Sequence, residues 1–256
     1  METYYRETQN ELSVFEVCFK NKLPLLLKGP TGCGKSQLVS HMAEKLGRPL
    51  IKVACNEDTS SADLLGRFLI KGADTIWQDG PVSRAVREGA ILYLDEVAEA
   101  REDVIVALHP LTDHRRQLYL DRTNEELTAA PGFMCVASFN PGYQRGFKEL
   151  KPSTRQRFVT LALNYPQAEI ESEIVAQVTG IELKTAKLLV QLAHKIRSQS
   201  HLDLRETIST RLLVHTAQLA IAGLPLRQAC RFGIAQCLSD DPQIIEGLQD
   251  LINLSL

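Results

Sequence analysis

Residues 29–36 read Gly-Pro-Thr-Gly-Cys-Gly-Lys-Ser, the pattern G-x-x-x-x-G-K-[ST] of a phosphate-binding loop. This octet constrains the chain on both sides. Leu23-Pro24-Leu25-Leu26-Leu27 is a short apolar run that predicts a buried strand. Gln37 to Leu46 predicts an amphipathic helix closed by Gly47. Gly29, Gly32 and Gly34 let the backbone curl so that several N–H groups point inward at phosphate oxygens, and Pro30, Thr31, Cys33 and Gln37 complete the expected nucleotide-binding set. The helix N-terminus adds partial positive charge. Lys35 is placed to reach the β- and γ-phosphates of ATP, and Ser36 to hold Mg²⁺ through its hydroxyl. The competing reading is a glycine turn before a helix. A chance match in a chain of this length is on the order of one in a hundred, and the flanking elements lower the odds further.

A phosphate loop leaves the reaction open, and the rest of the chain narrows it. Ile91-Leu92-Tyr93-Leu94-Asp95-Glu96 predicts a buried strand delivering two carboxylates at its C-terminal end, where ligands gather in parallel sheets. Asp95 is the candidate for Mg²⁺ and Glu96 for polarising an attacking water. An acidic loop after an ordinary strand is the bland alternative. Val136-Ala137-Ser138-Phe139-Asn140-Pro141 ends a further strand in an amide that can both donate and accept. Taken alone, Asn-Pro after a strand is more often a turn. Arg155 and Arg157 stand two apart before Phe158, two cations that could stabilise a transferring phosphoryl group or form a solvated charge pair. Ser209 is a good N-cap, with Arg211 on the first turn of its helix.

The 256 residues suffice for one large domain or two modest ones. The net charge of 29 − 31 = −2 leaves no electrostatic footprint for nucleic acid. No apolar run approaches the ~20 residues that span a bilayer, and the polar start, Met1 to Glu7, lacks the apolar core of a signal peptide. Six cysteines without a C-x-x-C pair read as reduced thiols of a cytoplasmic protein. Cys33 fills a slot any small residue could take, although its oxidation would block nucleotide.

Through about residue 165 the chain alternates strands with helices. The predicted strands are Leu23–Lys28, Leu50–Ala54, Gly89–Asp95, Phe133–Asn140 and Phe158–Ala162. The helices are Thr8–Asn21, Lys35–Leu46, Ser60–Leu65, Val82–Glu88 and Glu102–Leu111. From Pro166 only the 3.6 period remains, predicting helices Gln167–Thr179, Leu183–Ser198, Ser209–Ala222, Leu226–Leu238 and Gln243–Leu251. The expected architecture is α/β, a parallel sheet flanked by helices over 1–165, followed by a small all-helical domain over 166–256. Asn164-Tyr165-Pro166 is the expected hinge.

This order of motifs resembles the MoxR group of AAA+ ATPases, and within it the CbbQ/NirQ/NorQ subgroup. The resemblance is carried by Lys28–Ser36, Asp63–Phe68, Trp77–Pro81, Tyr93–Glu96, His109–Arg116, Asn140-Pro141-Gly142-Tyr143-Gln144 and Lys151–Phe158. It implies sensor 1 at Asn140, sensor 2 at Arg211 and an arginine finger at Arg157, with Arg155 as a second contact in trans. Gln156 stands where the MoxR motif has Asp before Arg-Phe. It also implies a homohexameric ring, a helix-2 insertion near 66–78 and a hairpin before sensor 1 near 116–127, with Asp121-Arg122-Thr123-Asn124 at its tip. The first hairpin would lie near the pore, where Phe68, Leu69 and Trp77 could grip a client, with buried packing the competing role. The subgroup works with a CbbO-like partner bearing a von Willebrand factor A domain. The likeness is greatest to the CbbQ type, which acts on Rubisco to release inhibitory sugar phosphates, in the cytoplasm of a bacterium or at its carboxysomes. NorQ- and NirQ-type action on nitric oxide reductase maturation is the alternative.

Three other readings remain open at this point. A P-loop kinase would need an acceptor, against which the Asp95-Glu96 pair argues. A nucleotide-gated scaffold would tolerate loss of Glu96. A magnesium chelatase-like role would need a tetrapyrrole-handling subunit. His109 and His114 lack the partners of a zinc site.

Overall fold

The computed structural model describes residues 3–141, 150–199, 204 and 207–256. Gly142, Tyr143 and Gln144 of the sensor 1 segment lie outside the described residues. The chain divides into two compact units. The first holds Gln9–Gly29 and Lys35–Leu163, and the second holds Tyr4–Thr8, Pro30–Gly34 and Asn164–Leu256.

In the first unit the strands are β1 (Leu25–Lys28), β2 (Leu50–Ala54), β3 (Gly66–Lys71), β4 (Asp74–Asp79), β5 (Ile91–Asp95), β6 (Gln117–Leu120), β7 (Glu125–Thr128), β8 (Met134–Phe139) and β9 (Val159–Ala162). Five form one sheet in the order β2-β5-β8-β1-β9, all neighbours parallel. The apolar runs explain why. β1, β5 and β8 are buried almost throughout, as strands covered on both faces must be. The register sets Leu94 beside Ala137 and Leu27 beside Ser138, so the C-terminal ends of β5, β8 and β1 finish at one edge.

Helix Lys35–Lys45 follows the glycine loop, burying Leu38, Val39, Met42 and Ala43. Pro81 opens helix Pro81–Glu88, where its missing N–H costs nothing. Ser60 and Asp63 form a capping box before Ser61–Leu65. β3 and β4 form one hairpin, and β6 and β7 another, turning at Asp121 to Asn124. The single helix expected over Glu102–Leu111 is corrected. The α-helix stops at Ala107, and His109–Leu111 is a 3₁₀ turn. Pro110 has no N–H to continue the ladder and its ring would strike the carbonyl four residues back.

The second unit is helical: Ala168–Thr179, Leu183–Arg197, Thr210–Ile221, Leu226–Cys230, Gln236–Leu238 and Pro242–Ser255. Leu226–Leu238 was expected as one α-helix. Arg231–Ala235 is instead a π-helical stretch between two α segments. There Gly233 presses on Thr216, with no room for a side chain. The last helix runs beyond its expected end, capped by Asp241, whose carboxylate accepts from Gln243 N–H at 2.8 Å. The core gathers Leu189, Val190, Leu213, Ile234, Leu248 and Ile252, all fully buried.

Glu171 is also fully buried and meets Arg197 through two hydrogen bonds of 2.7 and 2.8 Å. Glu171→Ala strands that guanidinium and is expected to destabilise the helical unit by about 3–5 kcal/mol. Urea unfolding followed by circular dichroism measures this, and an unshifted midpoint would show the pair to be dispensable. Among the described residues no helix is long and apolar enough to cross a membrane.

Candidate nucleotide site

The sheet edge assembles the first group. Lys35, 9 % exposed, donates from Nζ to the Gly29 carbonyl at 2.8 Å and to Asn140 Oδ1 at 3.2 Å. Asn140 is one residue past β8, and β8 lies between β5 and β1. The lysine of the glycine loop and the amide of the third motif, 105 residues apart, therefore meet.

Asp95 closes β5. Its Oδ2 accepts from Ser36 Oγ at 3.3 Å, while Oδ1 accepts from Tyr93 O–H at 2.8 Å and Ser138 O–H at 2.5 Å. Ser36 Oγ also lies 3.2 Å from Tyr93 Oη. Tyr93 and Ser138 are buried, and sequence reading gave neither a role. Each stands in an apolar strand, where a hydroxyl must find a partner, and that was the available signal. Burial pushes the Tyr93 phenol well above its ordinary range, so it stays a donor to Asp95. Ser36 and Asp95 together supply hard oxygen donors, the chemistry Mg²⁺ takes, and their closeness fits one ion between them.

Glu96 follows with φ +55°, a left-handed conformation unusual for a residue with a side chain. Its N–H donates to Ser138 Oγ at 3.1 Å, and its carboxylate is exposed, with no hydrogen bond among the described residues. Ser138 thus fixes Asp95 and Glu96 at once. Cys55, whose N–H donates to the Asp95 carbonyl, has its thiol pushed up to about 11 by burial and by the Asp95 and Glu96 carboxylates. It remains a neutral thiol at physiological pH, and none of the six cysteines forms a disulfide.

The loop tip, Pro30–Gly34, packs with the second unit. Gly32 has φ +69° and Gly34 φ +101°, backbone that side-chain residues rarely adopt. Gly29 is not in that region. A Cβ on Gly32 would lie 2.6 Å from Ser209 Cβ and 3.2 Å from Arg211 Cβ, so only glycine allows this approach. Ser209 caps its helix by accepting from Leu212 N–H at 3.3 Å. Arg211 is exposed and its guanidinium is unpaired among the described residues, as is that of Arg155. Cys33 is buried and Gln37 exposed.

Arg157 differs from Arg155. Its Nη1 donates to Asp113 Oδ2 at 3.3 Å, and its side chain is about one-third exposed. Arg115 grips the same carboxylate and holds Asp113 well below the usual carboxylate range. Next to it, His109 Nε2 lies 3.1 Å from Thr154 Oγ1, and burial and then Arg157 lower the His109 pKa. Among the described residues no group of three or more His, Cys, Asp or Glu, His109 and His114 included, converges on a metal position.

At the hairpin, Trp77 is partly buried, donates to Asp79 Oδ1 at 2.7 Å and meets Phe68 edge-on at 5.2 Å between ring centroids. It packs the hairpin base. The exposed apolar side chains are Phe68, Ile70 and Ile76, of which the last two were not singled out from sequence.

Comparison with known proteins matches residues 24–158 to the family described as AAA domain (dynein-related subfamily) and residues 171–255 to that described as CbbQ/NirQ/NorQ C-terminal. Protein NorQ of Paracoccus denitrificans is 55% identical over 97% of this chain and 92% of its own. Denitrification regulatory protein NirQ of Pseudomonas aeruginosa is 53% identical over 98% and 96%. Protein CbbQ of Hydrogenophilus thermoluteolus is 51% identical over 95% and 91%. Among solved structures, a mutant of RuvB from Thermotoga maritima shares the fold, with TM-score 0.58 at 16% identity over 96% of this chain and 71% of its own.

Proposed function

This chain belongs to the CbbQ/NirQ/NorQ family of AAA+ ATPases, and from that premise we propose that it is the motor of a homohexameric ring that remodels a protein client with a von Willebrand factor A domain partner. It is an ATPase, and the observation that best supports the hydrolytic assignment is Glu96, exposed and next to Asp95, whose carboxylate meets Ser36. We read 1–165 as the nucleotide-binding domain and 166–256 as the lid.

In this reading Lys35 exchanges the Gly29 carbonyl and Asn140 amide for phosphate oxygens. Ser36 and Asp95 would hold Mg²⁺, which would supply positive charge opposite the phosphates. Glu96 accepts the proton of the water whose oxygen attacks the γ-phosphorus as the bond to the ADP oxygen breaks, and the Asn140 amide orients that water. Arg211 contacts the γ-phosphate from the lid. Of the two candidate finger residues, the resemblance favours Arg157, yet Arg155 is the exposed one and is unpaired among the described residues. Arg155→Ala is expected to bind ATP but to hydrolyse it at least about 10³-fold more slowly. Mixing with Lys35→Ala subunits should restore part of the rate. Complementation by Arg157→Ala and none by Arg155→Ala would assign the finger to Arg157.

For the client, the identities of 55%, 53% and 51% place NorQ and NirQ slightly ahead of CbbQ, so maturation of a denitrification enzyme such as nitric oxide reductase is the first reading. Release of sugar phosphates from Rubisco, favoured by the sequence likeness to the CbbQ type, is the second, and it alone implies carboxysome association. Both fit a cytoplasmic site of action. A Glu96→Gln ring loaded with ATP and recovered from the native cell extract tests this by mass spectrometry of its bound proteins. Nitric oxide reductase subunits support the first reading, Rubisco the second, and absence of any A-domain protein counts against the partner.

A further inference from the structure

The helical unit contains a polar chain that none of the assignments above uses. Glu171 sits in Ala168–Thr179 with its carboxylate fully buried. Oε1 accepts from Thr210 Oγ1 at 2.6 Å and Arg197 Nη2 at 2.8 Å; Oε2 accepts from Arg197 Nη1 at 2.7 Å, with His194 Nε2 3.6 Å away. Arg197 Nε donates to the Ile208 carbonyl at 2.9 Å. The guanidinium carbon lies 4.2 Å from the centroid of the Tyr165 ring, and Tyr165 O–H donates to the carbonyl of Thr31 at 3.0 Å.

Every member of this chain belongs to the second unit, including Thr31 of the loop tip. It starts at the phosphate loop and ends at Thr210, the residue before Arg211. The Ser209 cap, which presses on Gly32, closes the circuit from the other side. Stability alone is a weak reason for such a device, because a buried ion pair is often matched or bettered by apolar residues of the same volume. What the bidentate pair supplies is direction. The planar guanidinium meets a carboxylate in one orientation, and here it also carries the tyrosine on its face.

We propose that Tyr165, Arg197 and Glu171 are positioning residues that hold Arg211 at a set distance from the tip of the phosphate loop. This rests on the reading of Arg211 as a γ-phosphate contact. Tyr165 reports on it most cleanly. Tyr165→Phe keeps the ring beneath Arg197 and removes only the hydroxyl that holds Thr31.

The test measures steady-state ATP hydrolysis of the full chain in three variants: Tyr165→Phe, Arg211→Ala and the two combined. Tyr165→Phe is expected to lower kcat by about fivefold, the scale of one hydrogen bond. Its melting temperature should move by less than about 4 °C. The combined variant should be no slower than Arg211→Ala alone, because a residue that acts by placing Arg211 has nothing left to place. Unchanged kcat in Tyr165→Phe overturns the proposal, whatever happens to the melting temperature. So does a further fivefold loss in the combined variant, which would make the two residues independent. If Arg211→Ala itself hydrolyses ATP at the wild-type rate, the assignment of Arg211 fails and this inference falls with it. If Arg211→Ala is slow and the coupling is absent, only the inference fails.

Discussion

Glu96→Gln is expected to lower kcat for ATP by about 10² to 10⁴-fold while leaving ATP affinity within about twofold. The amide keeps the shape of the side chain and loses the ability to accept a proton. Nothing folded is sacrificed, because the Glu96 carboxylate is exposed and makes no hydrogen bond among the described residues. The backbone anchor, Glu96 N–H to Ser138 Oγ, is untouched by the exchange. Single-turnover hydrolysis and a fluorescent-nucleotide titration separate the two parameters. Wild-type turnover in this variant would remove Glu96 from the mechanism and favour the nucleotide-gated scaffold. A matched loss of affinity and rate would mean that the carboxylate acts through the metal site.

Lys35→Ala acts earlier, on binding itself. Nζ is nearly buried and already oriented by the Gly29 carbonyl and the Asn140 amide, so it can turn to a phosphate at little entropic cost. Removing a buried cation from opposite a polyanion costs about 3 kcal/mol or more, which is more than a hundredfold in affinity. Calorimetric titration with ATP should therefore show no measurable binding at concentrations that saturate the wild type. Intact affinity would sink the reading of residues 29–36 as the phosphate cradle. The variant keeps its own Arg155 and Arg157, which is why it can serve as the donor subunit in mixed rings.

Much of the site was legible because its parts are local. The glycines at 32 and 34 adopt the left-handed backbone that the pattern requires, and Ser209 caps the helix it was expected to cap. Asp95 and Asn140 close the strands on which they were placed, give or take a residue. Other features were hidden because they depend on what lies across a strand or a helix. Ser138 reads as a small residue in an apolar run, yet it bonds both Asp95 and the Glu96 backbone. Arg155 and Arg157 look equivalent in sequence. Asp113, 44 residues before Arg157, engages only one of them. The break at Pro110 was readable from the proline, and it was missed because the apolar spacing continued through it.

The amino-acid order by itself determined the phosphate loop, the alternation of strands and helices, the change to an all-helical pattern and the family to which the chain belongs. The loop, the alternation and the helical pattern follow from rules that act over a few residues: glycine's access to positive φ, the periods of 2.0 and 3.6, and the capping of helix ends; the family rests on the likeness of whole motifs. The tertiary structure alone decided that β8 lies between β5 and β1, that Lys35 meets Asn140, and that Tyr93 and Ser138 share the Asp95 carboxylate. It also decided that Glu171 and Arg197 lead from Thr210 to Tyr165 and the Thr31 carbonyl. Apart from Tyr93, two residues before Asp95, those contacts join residues tens to more than a hundred positions apart. Strand order and helix packing bring them together, and buried polar groups then bond to whichever partners the register places beside them.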